Sequence, residues 1–274
     1  MQYIVQNNST LVDFIVEMCT VSRSQAKRMI DMRTIFVNDR RVWIAGYELK
    51  VGDVVELPED TSLARGLPGI PILYENEHII VVNKPAGIVS DDAKNSVESI
   101  LRTIYGESVQ AIHRLDKETT GALLFARTPE IFEKYKTWWK EGRTVKLYAA
   151  LCLHTARFKE RTVTTRVDNK PARSIIYVRA VSENASYVEI NAVTGRKHQL
   201  RIHCASIGIP IAGDKFYTLE TLADTIVKLI PRQMLHCIQL TVPRPDGDGE
   251  ITFTAPIPSD FIKTARKLGI SIHI

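Results

Sequence analysis

The sequence predicts an α+β chain of two units: a small helix-helix-sheet domain, then a larger domain with a mainly antiparallel mixed sheet flanked by helices. Three observations carry this. Residues 10–57 pass from helical to alternating periodicity. The stretch TSLARGLPGIP, residues 61–71, holds two glycines and two prolines without periodicity, as a linker does. Beyond it, short strand-like runs outnumber helical windows and lack the regular alternation of parallel βαβ winding. The expected domains are 1–60 and 72–274, joined by the linker at 61–71.

In TLVDFIVEMCT, Leu11, Phe14, Ile15 and Met18 recur at helical spacing behind the start signals Thr10 and Asp13. SRSQAKRMIDM reads as a second helix capped by Ser22 or Ser24. The next segment, TIFVNDRRVWIAGYELKVGDVVEL, alternates as short strands around turns at Asn38-Asp39, Gly46 and Gly52-Asp53. In the larger unit, strands are expected in PILYENEHIIVVNKP, at both ends of AIHRLDKETTGALLFART, and in LYAALCL, ASYVEINAV and EITFTAP. Helices are expected at SVESILRTIY, PEIFEKYKTWWKEG and RKHQLRIHCASIG, with a shorter one at TLADTIVKLI.

Lys and Arg number 36 against 31 Asp and Glu, giving a net charge of +5 and a mild bias toward polyanionic partners. Cys19, Cys152, Cys204 and Cys237 form no CxxC pair, which argues against a zinc knuckle or a disulfide framework and for a reducing compartment. The amino terminus lacks the basic and apolar segments of a leader, and no apolar run reaches membrane-spanning length. A cytoplasmic monomer is expected, with no membrane association and no obligate protein partner. The sequence holds no Gly-rich phosphate loop, dinucleotide fingerprint or metal-ligand cluster.

Between residues 23 and 41, Arg23, Lys27, Arg28, Arg33, Arg40 and Arg41 face only Asp31 and Asp39. Charge spacing alone equally describes a solvated helix face. The order SRSQAKRMI, IFVNDRRV, VGDVVEL resembles the small RNA-binding domain first known in ribosomal protein S-four. The resemblance covers nearly all of residues 10–57 and implies that these cations grip structured RNA through phosphates and shape. Met32-Arg33 replaces the glycine common before the strand in that family.

Arg114 and Asp116 are two apart, so on extended backbone they share a face while Leu115 turns to the core ahead of GALLFA. An isolated HRLD string is more often an ion pair or a turn. A carboxylate becomes a useful nucleophile when it is shielded from water and steadied by a cation. Candidate cations crowd one stretch, where Arg196, Lys197, His198, Arg201 and His203 fall within eight positions. If RKHQLRIH is helical, His198 and Arg201 share a side at i and i+3, and Gln199 and His203 a neighbouring one at i and i+4. Lys197 reads as a solvated rim residue. Tyr148, inside the apolar strand VKLYAAL, reads on its own as a core tyrosine.

Together, EHIIVVNKPAGIVS, HRLDKETTGALLFART, KLYAAL, VTGRKHQLRIHCASIGIPIAGDKFY and LHCIQLTVPRP with TAPIP resemble, in order, the motifs of the RluA family of pseudouridine synthases over residues 72–262. That family detaches uracil from its ribose, rotates it and rejoins it through a carbon without cofactor or metal. The resemblance implies that Asp116 is the catalytic aspartate, as nucleophile or in a glycal route. It implies that Arg201 is the arginine paired with Asp116, with Arg196 second for that role. Tyr148 corresponds to the tyrosine that packs on the target base and helps remove its proton, and Arg114 to the residue filling the space left by the flipped base. Lys84, Arg196 and His198 are counted with Arg114 among the residues that contact RNA around that base.

Two segments depart from the family. IVSDDAKNS follows NKPAG where a histidine is usual, placing Asp91 and Asp92 near the RNA path. LCLHTARFKERTVTTRV lacks a glycine-marked hairpin. Both bear on the substrate, for which large-subunit ribosomal RNA is the first expectation and transfer RNA the second. The rival from another class is a non-catalytic RNA-binding or ribosome-assembly factor. A glycosidic hydrolase would need a second facing carboxylate, which no motif supplies.

Overall fold

The computed structural model describes residues 2–19, 23–31, 35–57, 70–91, 93–218 and 230–272. In the amino-terminal domain, β1 (Gln2–Ile4) and β2 (Ser9–Thr10) precede α1 (Leu11–Cys19) and α2 (Arg23–Asp31). β3 (Phe36–Val37), β4 (Arg40–Arg41), β5 (Glu48–Leu49) and β6 (Val54–Glu56) follow. The sheet order is β1-β6-β3-β4, with β2 pairing β5. Thr10 Oγ1 accepts from the Asp13 backbone N–H at 3.3 Å, the cap expected at the start of α1. Asn38 and Asp39 have φ of 49° and 64°, the left-handed pair that closes a two-residue hairpin between β3 and β4. Leu11, Phe14, Ile15, Met29, Ile35 and Val55 form a core of their own. Strand β1 extends this unit beyond the span read from periodicity: three residues are too few to show alternation, and pairing with β6 defines them.

Only Ile70 and Pro71 of the expected linker are described, and the helix expected at TLADTIVKLI lies outside the described residues but for Ile230. The second domain holds β7 (Ile72–Glu75), β8 (Ile79–Lys84), α3 (Val97–Tyr105), β9 (Gln110–Ala111), β10 (Thr120–Ala126) and α4 (Pro129–Lys140). Then come β11 (Val145–Leu153), β12 (Glu160–Val163), β13 (Ser174–Val181), β14 (Ala185–Ala192), α5 (Gln199–Ser206), β15 (Leu235–Pro243), β16 (Glu250–Thr254) and α6 (Ser259–Lys267). The sheet runs β12-β13-β14-β11-β15-β10-β8-β7, with β16 on β15 and β9 on β10. Its pairings are antiparallel except β10 with β15.

Alternate residues of β11 enter different cores, so both faces of the sheet are covered. Tyr148, Ala150 and Cys152 join the core that takes in α3, α4 and α5, whereas Ala149, Leu151 and Leu153 pack with Phe261 and Ala265 of α6. The two domains meet through charges. Arg41 reaches Glu118 at 3.1 Å and Asp260 at 3.4 Å, and Lys263 pairs with Asp39 at 2.7 Å and with Glu56.

Candidate active site

Asp116 sits on the irregular segment between β9 and β10, pinned by the first motif of the larger domain. Ser90 Oγ donates to the Leu115 carbonyl and accepts from its N–H, both at 2.9 Å. Gly87 N–H donates to the Lys117 carbonyl at 2.8 Å. Lys84, expected to touch RNA, is instead fully buried and donates to the carbonyls of Pro85, Ile88 and Lys117 at 2.9, 2.8 and 3.1 Å. Burial pulls its pKa down to about 7, with Glu118 and Asp116 acting the other way. Its ammonium ties loop to loop and faces no solvent path. Leu115 points inward as expected and Arg114 outward, but through an irregular segment with no ladder partner.

His113 explains why HRLD borders a buried strand. Its ring stacks on Trp139 at 4.9 Å and its Nε2 accepts from the Leu124 N–H at 3.2 Å. Burial lowers its pKa to about 3, so it is a neutral structural group.

The cation that steadies Asp116 comes from α5. Arg201 is buried and donates through Nη1 to Asp116 Oδ2 at 3.1 Å. Its Nε and Nη2 grip Asp214 at 2.6 and 2.9 Å, a bidentate pair. The rings of Phe216 and Tyr217 lie 5.5 and 5.1 Å from the guanidinium carbon. Asp214 also accepts from the N–H groups of Phe216 and Tyr217 at 2.9 and 3.3 Å. Burial works against its charge, but Arg201 and these donors prevail and hold its carboxyl below the usual range. Asp214 is not among the residues expected at the site; its mark in the sequence is the Gly213-Asp214 pair of GDKFY, whose glycine has φ of 77°.

Helix α5 begins three residues later than RKHQLRIH suggested. His198 is left-handed, with φ of 56°, because the Gln199 side chain holds the preceding loop. Gln199 Oε1 accepts from Thr194 Oγ1 and the Arg196 N–H at 2.6 and 3.0 Å, while Nε2 donates to the Arg173 carbonyl and Ser174 Oγ. This brings His198 Nε2 to 3.9 Å from Asp116 Oδ1 and its Nδ1 to 3.0 Å from the Tyr217 hydroxyl. Burial lowers the His198 pKa, with Asp116 opposing. Arg196 lies apart from Asp116, donating to the Pro171 carbonyl at 3.2 Å, and does not take the pairing role.

Asp116, Tyr148 and Arg201 converge on one cavity of about 400 Å³, shared with Trp139, Lys146 and Arg114. Tyr148 is buried, and burial followed by the adjoining Cys237 and Asp116 pushes its phenol well above its ordinary pKa. The hydroxyl is therefore protonated in the resting site. Among the described residues, no three His, Cys, Asp or Glu side chains are grouped as metal ligands, and no helix is long and apolar enough to cross a membrane.

Comparison with known proteins identifies the family. Residues 78–206 match the model of the RNA pseudouridylate synthase family, and residues 10–55 that of the S4 domain. The dual-specificity RNA pseudouridine synthase RluA of Salmonella typhimurium is 31% identical over 215 residues, covering 71% of this chain and 95% of that protein. The chain belongs to the RluA family of pseudouridine synthases. It is thus a member of an isomerase family, carrying an added amino-terminal RNA-binding domain. The ribosomal large subunit pseudouridine synthase D of Neisseria meningitidis is 29% identical over 274 residues, covering 87% of this chain and 73% of that protein. The solved human RNA pseudouridylate synthase domain containing 4 shares the fold, with a TM-score of 0.64 at 22% identity over 78% of this chain and 96% of that one.

On this RluA-family scaffold the expected RNA-contacting cations divide. Arg114 is exposed at the cavity mouth, 3.9 Å from Asp91, whose neighbour Asp92 is outside the described residues. Arg196 is exposed on the rim, and Arg23, Lys27 and Arg40 are exposed on the small domain, Arg23 paired with Asp13. Arg41 is the exception. Its side chain is 8% exposed and turned onto Glu118 and Asp260, so it joins the two domains of the synthase and is not presented to RNA. Arg33 and the Arg28 side chain lie outside the described residues.

Proposed function

We propose that this synthase uses Asp116 to act at the ribose anomeric carbon of a flipped uridine, and that its substrate is large-subunit ribosomal RNA. The observation that carries the first part is the hydrogen bond from buried Arg201 to one oxygen of Asp116, at 3.1 Å. Arg201 is itself fixed by Asp214, so the carboxylate is oriented before substrate arrives and needs little reorganisation.

Flipping a stacked uridine costs a few kcal/mol. Arg114, exposed at the mouth, is suited to fill the vacated space because a guanidinium stacks and binds phosphate together. The base then lies against Tyr148. The buried, protonated phenol favours packing over proton removal at this stage. As the C1′–N1 bond breaks, its electron pair leaves with uracil. The sugar carbon is taken by Asp116, or the C2′ proton is lost in the glycal route; C5 of the rotated base then bonds to C1′ as the Asp116 carboxylate departs or the C2′ proton returns, and the C5 proton is lost while N1 gains one, so composition is unchanged.

The added domain supports ribosomal RNA as the substrate. The Neisseria relative, named for the ribosomal large subunit, matches 87% of this chain, more than residues 72–274 can supply. The test is a pseudouridine map of total RNA from cells lacking the gene, complemented by wild type or Asp116→Asn. A large-subunit site restored only by wild type is expected. A lost transfer-RNA site would replace the substrate, and an unchanged map in all strains would leave the non-catalytic assembly factor.

A further inference from the structure

Among the described residues the larger domain buries two lysines, and they are satisfied differently. Lys84 donates to three carbonyls. Lys146, 5% exposed, has no carboxylate or carbonyl acceptor among the described residues. Its ammonium sits 4.9 Å from the centre of the Trp139 ring, and a Cβ at Gly195 would lie 3.6 Å from it. The ammonium is not sealed off: it lies over Trp139 and lines the cavity, where its hydrogens are open to a ligand. Burial brings its pKa only to about 8, which leaves the ammonium the main form at neutral pH.

The position indicates which ligand. Lys146 and Tyr148 are two apart on β11 and line the same cavity as Asp116. Two residues of strand span roughly 6.6 Å, comparable with the width of a pyrimidine plus one hydrogen bond. With the sugar placed at Asp116 and the base on Tyr148, Lys146 is a cation of the same cavity within reach of the base. Phosphates have their own cations at the rim, where Arg114, Arg196 and Lys197 are exposed.

We infer that Lys146 is a catalytic residue that donates a hydrogen bond to a carbonyl oxygen of the flipped uracil and stabilises the negative charge the base carries on leaving. This rests on the assignment of Asp116 and Tyr148 above. The C1′–N1 bond breaks with its electron pair on the base, that charge spreads onto the carbonyl oxygens, and the ammonium keeps all its protons. At the C4 edge the same donor would oppose the amino group of cytosine and favour uracil.

The test is Lys146→Met, which keeps the length of the side chain and removes the charge. Pseudouridine formation is followed in single turnover on unmodified transcripts of large-subunit ribosomal RNA and of transfer RNAs, with RNA affinity and Tm measured in parallel. The first-order rate is expected to fall about 10²–10³-fold, as when an oxyanion donor is lost. RNA affinity should stay within about twofold, and Tm should be little changed, because Lys146 makes no hydrogen bond or ion pair with a described residue and methionine keeps a contact with Trp139. A rate within about threefold of wild type overturns the inference. So does a loss confined to affinity, which reassigns Lys146 to a phosphate, or a lowered Tm, which reassigns it to the fold. Failure of the parent assignment is distinct, since full turnover by Asp116→Asn would show it whatever Lys146→Met does.

Discussion

Two aspartates share Arg201, and replacing each by asparagine should separate stability from chemistry. Asp214→Asn removes the bidentate partner of a guanidinium that is 5% exposed, together with a carboxylate that is 1% exposed. Breaking such a buried pair from one side costs about 3–5 kcal/mol. The lower end applies, because Arg201 keeps Asp116 at 3.1 Å and the faces of Phe216 and Tyr217. In a domain of this size about 3 kcal/mol lowers Tm by roughly 6–12 °C. Asp116→Asn loses one hydrogen bond at a carboxylate that is 22% exposed, worth at most about 1 kcal/mol, so Tm should move by no more than roughly 2–4 °C. The expected functional order is the reverse: under the proposed role of Asp116, Asp116→Asn should abolish turnover while Asp214→Asn should retain some well below its melting temperature. The folded-state pKa of Asp214 is depressed, so its contribution is complete above the unfolded value near 3.8 and lost as pH falls through the lower folded one. The Tm gap between wild type and Asp214→Asn should therefore hold from pH 5 to 8. Thermal melts by circular dichroism, paired with turnover assays, decide the matter; equal Tm values for the two variants would refute the division.

Tyr148→Ala removes a stacking surface worth about 1–3 kcal/mol, or roughly 5–150-fold in kcat/KM, whereas Tyr148→Phe should stay within about tenfold; a Phe variant as impaired as Ala would return the hydroxyl to proton transfer. Gly213→Ala would place a Cβ 1.9 Å from the Arg232 carbonyl oxygen at φ of 77°, so a loss of at least about 3 kcal/mol is expected, and near-wild-type denaturant unfolding would contradict the geometry. His236 is buried and neutral, held between Thr120 Oγ1 and the Ala255 carbonyl, and burial lowers its pKa to about 4. With His113 at about 3, the unfolded chain binds more protons below about pH 6.5, so Tm should fall as pH drops from there toward 4; a flat profile over that window would refute neutral burial.

What the sequence made legible was local or periodic. The Thr10–Asp13 cap and the Asn38-Asp39 hairpin depend on residues within one turn, and each is found where its residue types place it. The inward Leu115 follows from alternation. The contact between Asp116 and Arg201 spans 85 positions, and no periodicity connects them; motif resemblance alone did. Lys84, Lys146 and Arg41 defied the default that long cations are solvated. One of the three carbonyls that hold Lys84 and both carboxylates that hold Arg41 come from distant segments, and Trp139 reaches Lys146 from the preceding helix, α4. The late start of α5 has the same origin, since Gln199 binds the loop before it and Ser174 at the sheet.

If Asp116 acts as proposed, the arrangement favours one of its oxygens. Both oxygens of Asp214 are occupied, Oδ2 by Arg201 and Oδ1 by Arg201 with the N–H groups of Phe216 and Tyr217. Asp116 differs. Its Oδ2 takes a single bond from Arg201, and its Oδ1 receives no hydrogen bond from a described residue, with His198 Nε2 standing off at 3.9 Å. A carboxylate so held presents one orientation and one oxygen not already engaged, which is what the proposed attack on an anomeric carbon requires. Were His198 to close on Oδ1 it would compete with the sugar; its contact with the Tyr217 hydroxyl at 3.0 Å opposes that movement. Arg201 therefore sets the orientation, Asp214 sets Arg201, and Oδ1 is the atom left for chemistry.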